Sequence, residues 1–383
     1  ALKSMIESKL VDYLSDLVAI NSVNPNLSSQ GQGEQEIAEY IHTHFQRLGF
    51  NTNLFEVAKN RCNTTSFLPG DNLTKVLLMN GHIDTVGTEG MDSPFVLRKD
   101  GDRLYGRGAY DMLAGCAIQM CLADFFAENQ TPISLAFTFV CDEEDKSMGM
   151  EHLVDHFLPT LPAKPLLGIF MEPTEDQIGI CHKGYDWYQL KISGVAAHGS
   201  RPEEGVNAIF PLQFALAKLD EINNRLSTEE PHPLLGNATL HPGIINGGSG
   251  YSVIAADAVL TWERRTLPNE DPKKIKEEVN QVIAAVSDAP GNHKVSVTQL
   301  FNRPPNQTKE NEHIKRLSNI INEKPYEGMS YWADSALAAK ADIPSILFGP
   351  SGHGAHAIDE WVSKSSMMYC YKSLKDLILS YLD

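Results

Sequence analysis

The chain has 383 residues, which is longer than one hydrophobic core usually allows, so its length predicts two domains. With 42% hydrophobic and 21% charged residues, it has the composition of a globular protein rather than a disordered or fibrous one. Its 32 Lys and Arg against 49 Asp and Glu give a net charge of -17, and no basic run could neutralise a row of phosphates. The charge therefore argues against nucleic acid and anionic membranes as partners.

The N-terminus and the cysteines indicate the compartment. The first ten residues mix charged with apolar side chains and do not predict a signal peptide. No apolar run approaches the roughly 18 residues that a membrane-spanning helix needs. Six cysteines are scattered without a CxxC pair, so we expect reduced thiols and a cytoplasmic protein.

The first predicted elements belong to an α/β layer. Residues 34–48 carry apolar side chains at helical spacing, and Gly49 follows where a left-handed cap is expected, so a core-facing helix is predicted. Ligand sites of open α/β sheets lie beyond the carboxyl ends of the strands, which makes the polar cluster after each strand a candidate site. Four short apolar runs predict such buried strands: residues 76–79, 135–140, 167–171 and 345–348.

The first polar cluster is Gly81-His82-Ile83-Asp84, directly after the first predicted strand. Because alternate residues of an extended chain face the same way, Asp84 can hold one imidazole nitrogen of His82 while the other binds a metal ion. A hydrogen-bonded turn would need the same residues without a metal. The motif is therefore weak when it stands alone.

The second cluster, Gly106-Arg107-Gly108-Ala109-Tyr110-Asp111, is a glycine-bounded turn before a predicted helix at residues 113–126. It lacks the glycine and lysine spacing of a phosphate-binding loop. Asp111 could cap that helix, as an Asp at a helix start commonly does. The alternative is that its carboxylate bridges two cations.

The third cluster, Cys141-Asp142-Glu143-Glu144-Asp145, follows the most apolar predicted strand. Adjacent carboxylates at a buried strand end repel one another and lose solvation unless cations offset them. Consecutive residues there point in different directions, so one glutamate can ligate a metal ion while the other faces a water. A solvated acidic loop is the alternative. Glu172 follows the third strand in the same way.

The sequence pattern changes between residues 184 and 300, which we predict to form an inserted α+β domain. Its predicted elements are strands near residues 188–192, 244–246, 258–262 and 294–300 and helices over residues 205–225 and 271–287. Residues 302–307, Asn-Arg-Pro-Pro-Asn-Gln, predict the return linker. The expected organisation is a metal-binding domain of residues 1–183 and 301–383 with residues 184–300 inserted.

The last cluster, residues 349–360, follows the fourth strand and contains His353 and His356. We favour His356 as a ligand because the acidic pair Asp359-Glu360 lies just behind it. Five places thus supply two imidazoles and four carboxylates, a donor set that suits borderline divalent metals such as zinc. These residues are His82, Asp111, Glu143, Glu144, Glu172 and His356.

In this order the motifs resemble those of the co-catalytic zinc family that contains acetylornithine deacetylase, succinyl-diaminopimelate desuccinylase, aminoacylase, glutamate carboxypeptidase and related dipeptidases. The resemblance implies a mixed-sheet α/β catalytic domain of zinc-peptidase type with an inserted ferredoxin-like domain for closure and homodimerisation. It also implies two Zn²⁺ ions, for which Co²⁺ or Mn²⁺ could substitute. The implied ligands are His82 and Glu172 on one ion and Glu144 and His356 on the other, with Asp111 bridging.

The resemblance further implies catalytic roles for residues beside the metal ions. Glu143 would be the general base, and Asp84 would orient His82. The segment Ala197-His198-Gly199-Ser200-Arg201-Pro202 matches the family's pattern and gives His198 a role in contacting substrate or stabilising the oxyanion, often across a dimer interface. Without the resemblance, His198 would be an ordinary loop histidine.

The substrate carboxylate is assigned by resemblance to Asn246 and Arg265. An arginine holds a carboxylate through two parallel hydrogen bonds, which gives the assignment a physical basis. Arg264 is adjacent and could take the role instead, or the pair could be solvated. Two departures from the family's pattern are Leu113, where many relatives carry Lys, and Glu263, where they often carry Asp.

The sequence therefore predicts a dinuclear zinc amide hydrolase that deacylates an N-acyl amino acid, most similar to acetylornithine deacetylase. A desuccinylase and a zinc carboxypeptidase or dipeptidase are the alternatives within the family, and Glu172 favours deacylases and carboxypeptidases of acidic residues. A binding protein without turnover is disfavoured by the complete ligand set. Two-metal phosphoryl transfer is disfavoured because the inserted domain offers few basic residues.

Overall fold

A computed structural model describes residues 1–382. None of the helices in this range combines the length and the hydropathy that a span of the lipid bilayer requires. The chain divides into two compact units. Unit 1 comprises Ala1–Ile180, Thr308–Glu327 and Ala333–Asp383, and unit 2 comprises Cys181–Gln307 and Gly328–Trp332. Unit 2 is a few residues longer at both ends than the expected 184–300, because residues 181–182 pair with residues 306–307.

The helices and strands are numbered in chain order. The helices are α1 (Leu2–Ala19), α2 (Gln35–Arg47), α3 (Ala114–Glu128), α4 (Met148–His152), α5 (Leu212–Thr228), α6 (Pro272–Ser287), α7 (Glu312–Ile320), α8 (Ser335–Lys340) and α9 (Lys364–Leu379). The strands are β1 (Asn51–Ala58), β2 (Arg61–Leu68), β3 (Asn72–His82), β4 (Arg98–Asp100), β5 (Arg103–Tyr105), β6 (Ile133–Val140), β7 (Leu167–Phe170), β8 (Gly179–His182), β9 (Gly184–Ser193), β10 (Ala197–His198), β11 (Thr239–Gly247), β12 (Val253–Ile254), β13 (Asp257–Thr266), β14 (Lys294–Arg303), β15 (Asn306–Gln307), β16 (Glu327–Met329), β17 (Ser345–Leu347), β18 (Gly352–His353) and β19 (Trp361–Ser363).

Unit 1 is built on a mixed sheet with the strand order β1-β2-β6-β3-β7-β17-β8. The central strands β6, β3, β7 and β17 are parallel, whereas β1, β2 and β8 pair antiparallel to their neighbours. Every residue of β6 and β7 is buried, as expected of parallel strands that are covered on both faces. The carboxyl ends of the parallel strands therefore meet at one edge of the sheet.

The core of unit 1 confirms the main sequence predictions. The four apolar runs lie in β3, β6, β7 and β17, and the predicted helices lie in α2 and α3. Gly49 ends the first of these helices with a left-handed backbone, φ 82°. Phe45 on α2 is fully buried and packs against three aromatic rings, Phe50, Phe137 and Phe139.

Unit 2 has the chain order strand, helix, two strands, helix, strand, with an antiparallel sheet in the order β11-β13-β9-β14. This is the ferredoxin-like arrangement. Its core lies between the sheet and α5 and α6, and contains Leu190, Leu219, Leu260, Trp262 and Val282.

Two predicted boundaries in unit 2 were wrong. The helix expected from residue 205 begins at Leu212, because the side chain of Asn207 accepts the N–H groups of Ile209 and Phe210 and makes a turn there, and Pro211 precedes the helix. Residues 302–307 are not an irregular linker throughout. They end β14 and form β15, with only the two prolines between the strands.

Candidate metal centre

The carboxyl edge of the parallel strands in unit 1 carries the candidate site. His82 is the last residue of β3, Glu143 and Glu144 follow β6, and Glu172 follows β7. Asp111 lies in an irregular turn before α3, and His356 comes after β17 and β18. Six side chains from five separate segments therefore meet where the parallel strands end and α3 begins.

The first half of the site surrounds the buried ring of His82. Its Nε2 lies 3.0 Å from Oδ1 of Asp111 and 3.3 Å from Oε1 of Glu172. Oε2 of Glu143 is also 3.3 Å from this nitrogen. One imidazole nitrogen thus faces three carboxylates, an arrangement that a shared cation would explain.

The second half surrounds His356. Its Nε2 lies 3.1 Å from Oδ2 of Asp111 and 3.0 Å from Oε1 of Glu144. Asp111 therefore directs one carboxylate oxygen toward each histidine. Each half offers one imidazole nitrogen and carboxylate oxygens within 4.8 Å of one another, which fits two zinc-class ions that share Asp111.

Electrostatics favours cations at this site. Burial, followed by the neighbouring Glu172 and Glu144, raises the pKa of Glu143 well above its ordinary value. Burial and the nearby Asp111 raise the pKa of Glu144 to about 8, and the pKa of Glu172 is raised chiefly by burial. The ionised forms of these acids are thus unfavourable until positive charge is supplied.

Asp84 holds both the histidine and the loop after β6. Its Oδ1 lies 3.3 Å from Nδ1 of His82, on the side of the ring away from the other carboxylates. The backbone N–H groups of Glu143 and Glu144 donate to its two oxygens, each at 3.0 Å. A carboxylate in this position would orient the ring of His82 if its Nε2 held a metal ion.

Glu360 holds the turn that carries Asp111. Its carboxylate accepts the backbone N–H groups of Gly108, Tyr110 and Asp111 at 2.9 to 3.0 Å, and Arg107 donates to it at 2.8 Å. The acidic pair 359–360, which favours His356 as a ligand in the sequence, does not act on that histidine through Glu360, because this carboxylate binds the turn before α3.

His356, and not His353, lies in a group of side chains that could hold a metal ion. His353 is an exposed side chain whose Nε2 lies 3.4 Å from Asp359. His353, at the end of β18, thus lies outside the site, whereas His356, three residues later, lies within it.

The sequence analysis missed Asp334, which lies just before α8 and is 2% exposed. Burial, together with the neighbouring carboxylates Glu172 and Asp84, raises its pKa to about 8. Its negative charge in turn raises the pKa of Glu143. No predicted strand precedes Asp334, and an acid before an alanine-rich helix ordinarily indicates an N-cap, so the sequence carried no signal for it.

The remaining predicted residues lie in unit 2. His198 is an exposed residue of β10, and Asn246 is exposed on β11. Arg265 is one-third exposed, and its Nε donates to Glu263 at 2.7 Å.

Arg264 lies fully buried between two acids, with Glu278 at 2.9 Å and Glu270 at 2.7 Å. Of the two adjacent arginines, Arg264 is therefore committed to the core of unit 2. Only Arg265 presents part of its side chain to solvent.

Comparison with known proteins agrees with this geometry. The sequence model of Peptidase family M20/M25/M40 matches residues 78–380. Acetylornithine deacetylase of Proteus mirabilis is 26% identical over 361 residues, 92% of this chain and 91% of the relative. A probable succinyl-diaminopimelate desuccinylase of Staphylococcus aureus is 25% identical over 423 residues, 98% of each chain.

The fold is also shared with solved structures. A dinuclear metal-binding peptidase of the M20 family from Bacillus subtilis superposes with a TM-score of 0.72 at 14% identity and covers 99% of both chains. This likeness confirms the predicted α/β fold.

The raised acid pKa values predict how the metal-free protein responds to pH. An unfolded chain loses the protons of its glutamates near 4.5, but native Glu144 keeps its proton to about 8, so the native state binds more protons between these values. The hydrogen bonds that His356 donates to Asp111 and Glu144 raise its pKa to about 11, which acts in the same direction above its ordinary 6.5. The free energy of unfolding of the metal-free protein should therefore fall as pH rises from about 5 to 8.

Denaturant unfolding at several pH values, in chelator and in excess zinc, tests this expectation. With zinc the slope should reverse, because the ligands must lose protons to bind the metal. Metal-free protein whose stability stays constant or rises over this range would contradict the assignment of the buried acids.

Proposed function

The chain belongs to Peptidase family M20/M25/M40, and from this premise we propose that it is a dinuclear zinc hydrolase that removes the acyl group from an N-acyl amino acid. Its relatives include deacylases and peptidases, so hydrolysis of an amide bond is the common reaction. The observation that carries the proposal is the pair of ligand groups that share Asp111. Glu172 favours a deacylase, since the resemblance links Glu at this position to deacylases and to carboxypeptidases of acidic residues.

Glu143 is the residue proposed to move protons. Two divalent cations bound at the centre would polarise the amide carbonyl and lower the pKa of a water from 15.7 toward about 7. Glu143 lies outside the two groups that share Asp111, although it also forms a possible metal-holding group with His82 and Glu144, so the family resemblance is what assigns it as base rather than as ligand. It would take a proton from the attacking water and return it to the leaving amine.

His198 is proposed to stabilise the oxyanion. The N–H of Ser200 donates to its Nδ1 at 3.1 Å, so a neutral ring carries its proton on Nε2. That nitrogen is a hydrogen-bond donor that a negatively charged oxygen could accept.

Arg265, with Asn246, is proposed to bind the substrate carboxylate. Glu263 occupies only the Nε side of its guanidinium, according to the 2.7 Å hydrogen bond between them. The terminal N–H groups of the Arg265 guanidinium can then donate hydrogen bonds to a carboxylate.

A substrate panel tests the proposed function. We expect hydrolysis of N-acetyl amino acids, with N-acetylornithine ahead of N-succinyl-diaminopimelate and of dipeptides that end in Glu. Replacing Arg265 with Met should raise KM by about 10-fold or more for substrates with a free carboxylate, since a hydrogen bond to a charged group contributes about 1.5–3 kcal/mol. The corresponding methyl esters are the control, because they lack the charge that Arg265 would bind.

Preference for a dipeptide would move the assignment to a peptidase of the same family. Hydrolysis of a phosphate ester alone, or binding without turnover of any amide, would refute the proposal. An equal KM effect on acids and esters would remove Arg265 from its assigned role.

Replacing Glu143 with Gln tests the general base. Gln keeps the size of the side chain but cannot take a proton, so kcat should fall by about 10²-fold or more. Metal analysis should still find two zinc ions per chain. Asp145→Asn is the matched control because Asp145 is an acid of the same loop that is bonded to Asn26, outside the ligand groups, and its activity should stay at the wild-type level. Full activity of Glu143→Gln would refute the assigned role.

We also propose a homodimer through unit 2. Strand β11 lies at the edge of its sheet, with unpaired backbone groups along one side. It exposes Ile244 and Ile245 by 58% and 53%, and Phe210 before α5 is 71% exposed. Exposed apolar side chains beside a free sheet edge are typical of an interaction surface.

Sedimentation of the purified protein tests the dimer. Wild-type protein should sediment as a dimer, and Ile244→Asp should shift it to a monomer, because a charge on this face would be buried without a partner. Leu73→Asp is the control, since Leu73 is an exposed apolar residue of unit 1. A monomeric wild type, or an unchanged dimer in Ile244→Asp, would overturn the proposed interface.

A further inference from the structure

The loop that carries Glu143 and Glu144 begins with a buried acid that is not part of the metal-binding group. Asp142 is 1% exposed and has a left-handed backbone, φ 68°, a conformation that non-glycine residues rarely adopt. The direction in which the next two side chains leave the strand depends on how this residue is held. Its hydrogen-bond partners therefore bear on the geometry of the site.

Two charged residues from other parts of the chain hold Asp142. Arg61 donates from Nη2 to Asp142 at 3.0 Å, and from both Nε and Nη2 to the carboxylate of Glu34. Glu34 in turn accepts the backbone N–H of Asp142 at 2.8 Å. All three side chains are buried, with Glu34 at 0% exposure. Both the backbone and the side chain of Asp142 are thus fixed by one ion pair.

Asn24 connects this ion pair to the histidine side of the site. Its Nδ2 donates to Asp142 at 2.9 Å and to Asp84 at 3.0 Å. Asp84 accepts the backbone N–H groups of Glu143 and Glu144. Residues 142–144 are therefore held from one side through Asp142 and from the other through Asp84.

Stability alone does not account for this arrangement. Replacing a buried ion pair by well-packed apolar side chains is often neutral or stabilising, since the charges lose their hydration. Here two acids share one arginine, beside a centre that already contains four carboxylates. Directional hydrogen bonds, by contrast, can fix a backbone conformation that apolar packing would leave free.

We propose that Glu34 and Arg61 are positioning residues of the hydrolase: through Asp142 they set the direction of Glu143 as the base and of Glu144 as a ligand. The inference rests on the proposed function of the metal centre. Neither residue touches the reacting atoms in this scheme. Their effect should appear both in turnover and in the affinity of the protein for zinc.

The test uses two conservative variants of the full-length protein. Arg61→Lys keeps the charge but cannot reach Glu34 and Asp142 with a planar fork. Glu34→Gln keeps the size but leaves one acceptor oxygen for three donor contacts. For both variants we expect kcat to fall by about 10- to 100-fold and the zinc affinity of the metal-depleted protein, measured by chelator competition, to fall similarly. KM should stay within about twofold, because binding of the substrate is not affected.

Asp124→Asn is the matched control, since it weakens a partly buried polar cluster with Tyr13 and His44 in the same unit. It should lower Tm while kcat and zinc affinity stay at wild-type values. If Arg61→Lys does not fold, Glu34→Gln decides alone. Variants with a lowered Tm but wild-type kcat and zinc affinity would overturn the proposal, because the ion pair would then be merely structural.

Failure of this inference can be told apart from failure of the proposed function. If Glu143→Gln is inactive but both positioning variants keep wild-type kcat and zinc affinity, only the positioning role is lost. If Glu143→Gln is fully active, the assignment of the base is lost. The zinc affinity of the Arg61 and Glu34 variants then still decides whether they direct Glu144.

Discussion

The structure of unit 1 depends on balancing the negative charge that is concentrated where its parallel strands end. Two kinds of carboxylate lie there, and they are stabilised differently. Asp84 and Glu360 accept backbone N–H groups, and Arg107 also donates to Glu360, so hydrogen bonds within the chain stabilise their charge without a metal ion. Asp111, Glu144 and Glu172 direct their oxygens at imidazole nitrogens instead. The pKa values of Glu144 and Glu172 are raised, so these two acids can exchange a proton for a metal ion, whereas the two histidines keep the pKa of Asp111 low.

Close packing of α3 against the sheet places Asp111 between the two histidines. A Cβ at Gly115 would lie 2.4 Å from the carbonyl oxygen of Met171, and one at Gly81 would lie 2.8 Å from the sulfur of Cys116. At Gly115 the near atom belongs to the backbone, so only glycine permits this approach there. The start of α3 consequently lies beside the ends of β3 and β7, and the turn before it delivers its carboxylate into the centre.

The sequence predicted those parts of the site that follow a local rule. An apolar run with an acid or histidine directly after it identified His82, the glutamate pair and Glu172, because a buried strand and its end are both visible in the sequence. Asn24, Glu34 and Arg61 follow no such rule. Glu34 precedes a helix and Arg61 begins a strand, where charged residues are ordinary, and only the tertiary fold brings them to Asp142.

The same reasoning shows that the choice between Arg264 and Arg265 could have been made from the sequence. Residues on a strand alternate between two faces, and Leu260 and Trp262 are apolar, so Arg264 is predicted to share their buried face. An arginine there needs acids to accompany it, and Glu270 and Glu278 supply them. Arg265 lies on the opposite face, where its guanidinium is not bound by the buried acids Glu270 and Glu278. The alternation of side chains along β13 thus distinguishes Arg264, which stabilises unit 2, from Arg265, which can bind a carboxylate.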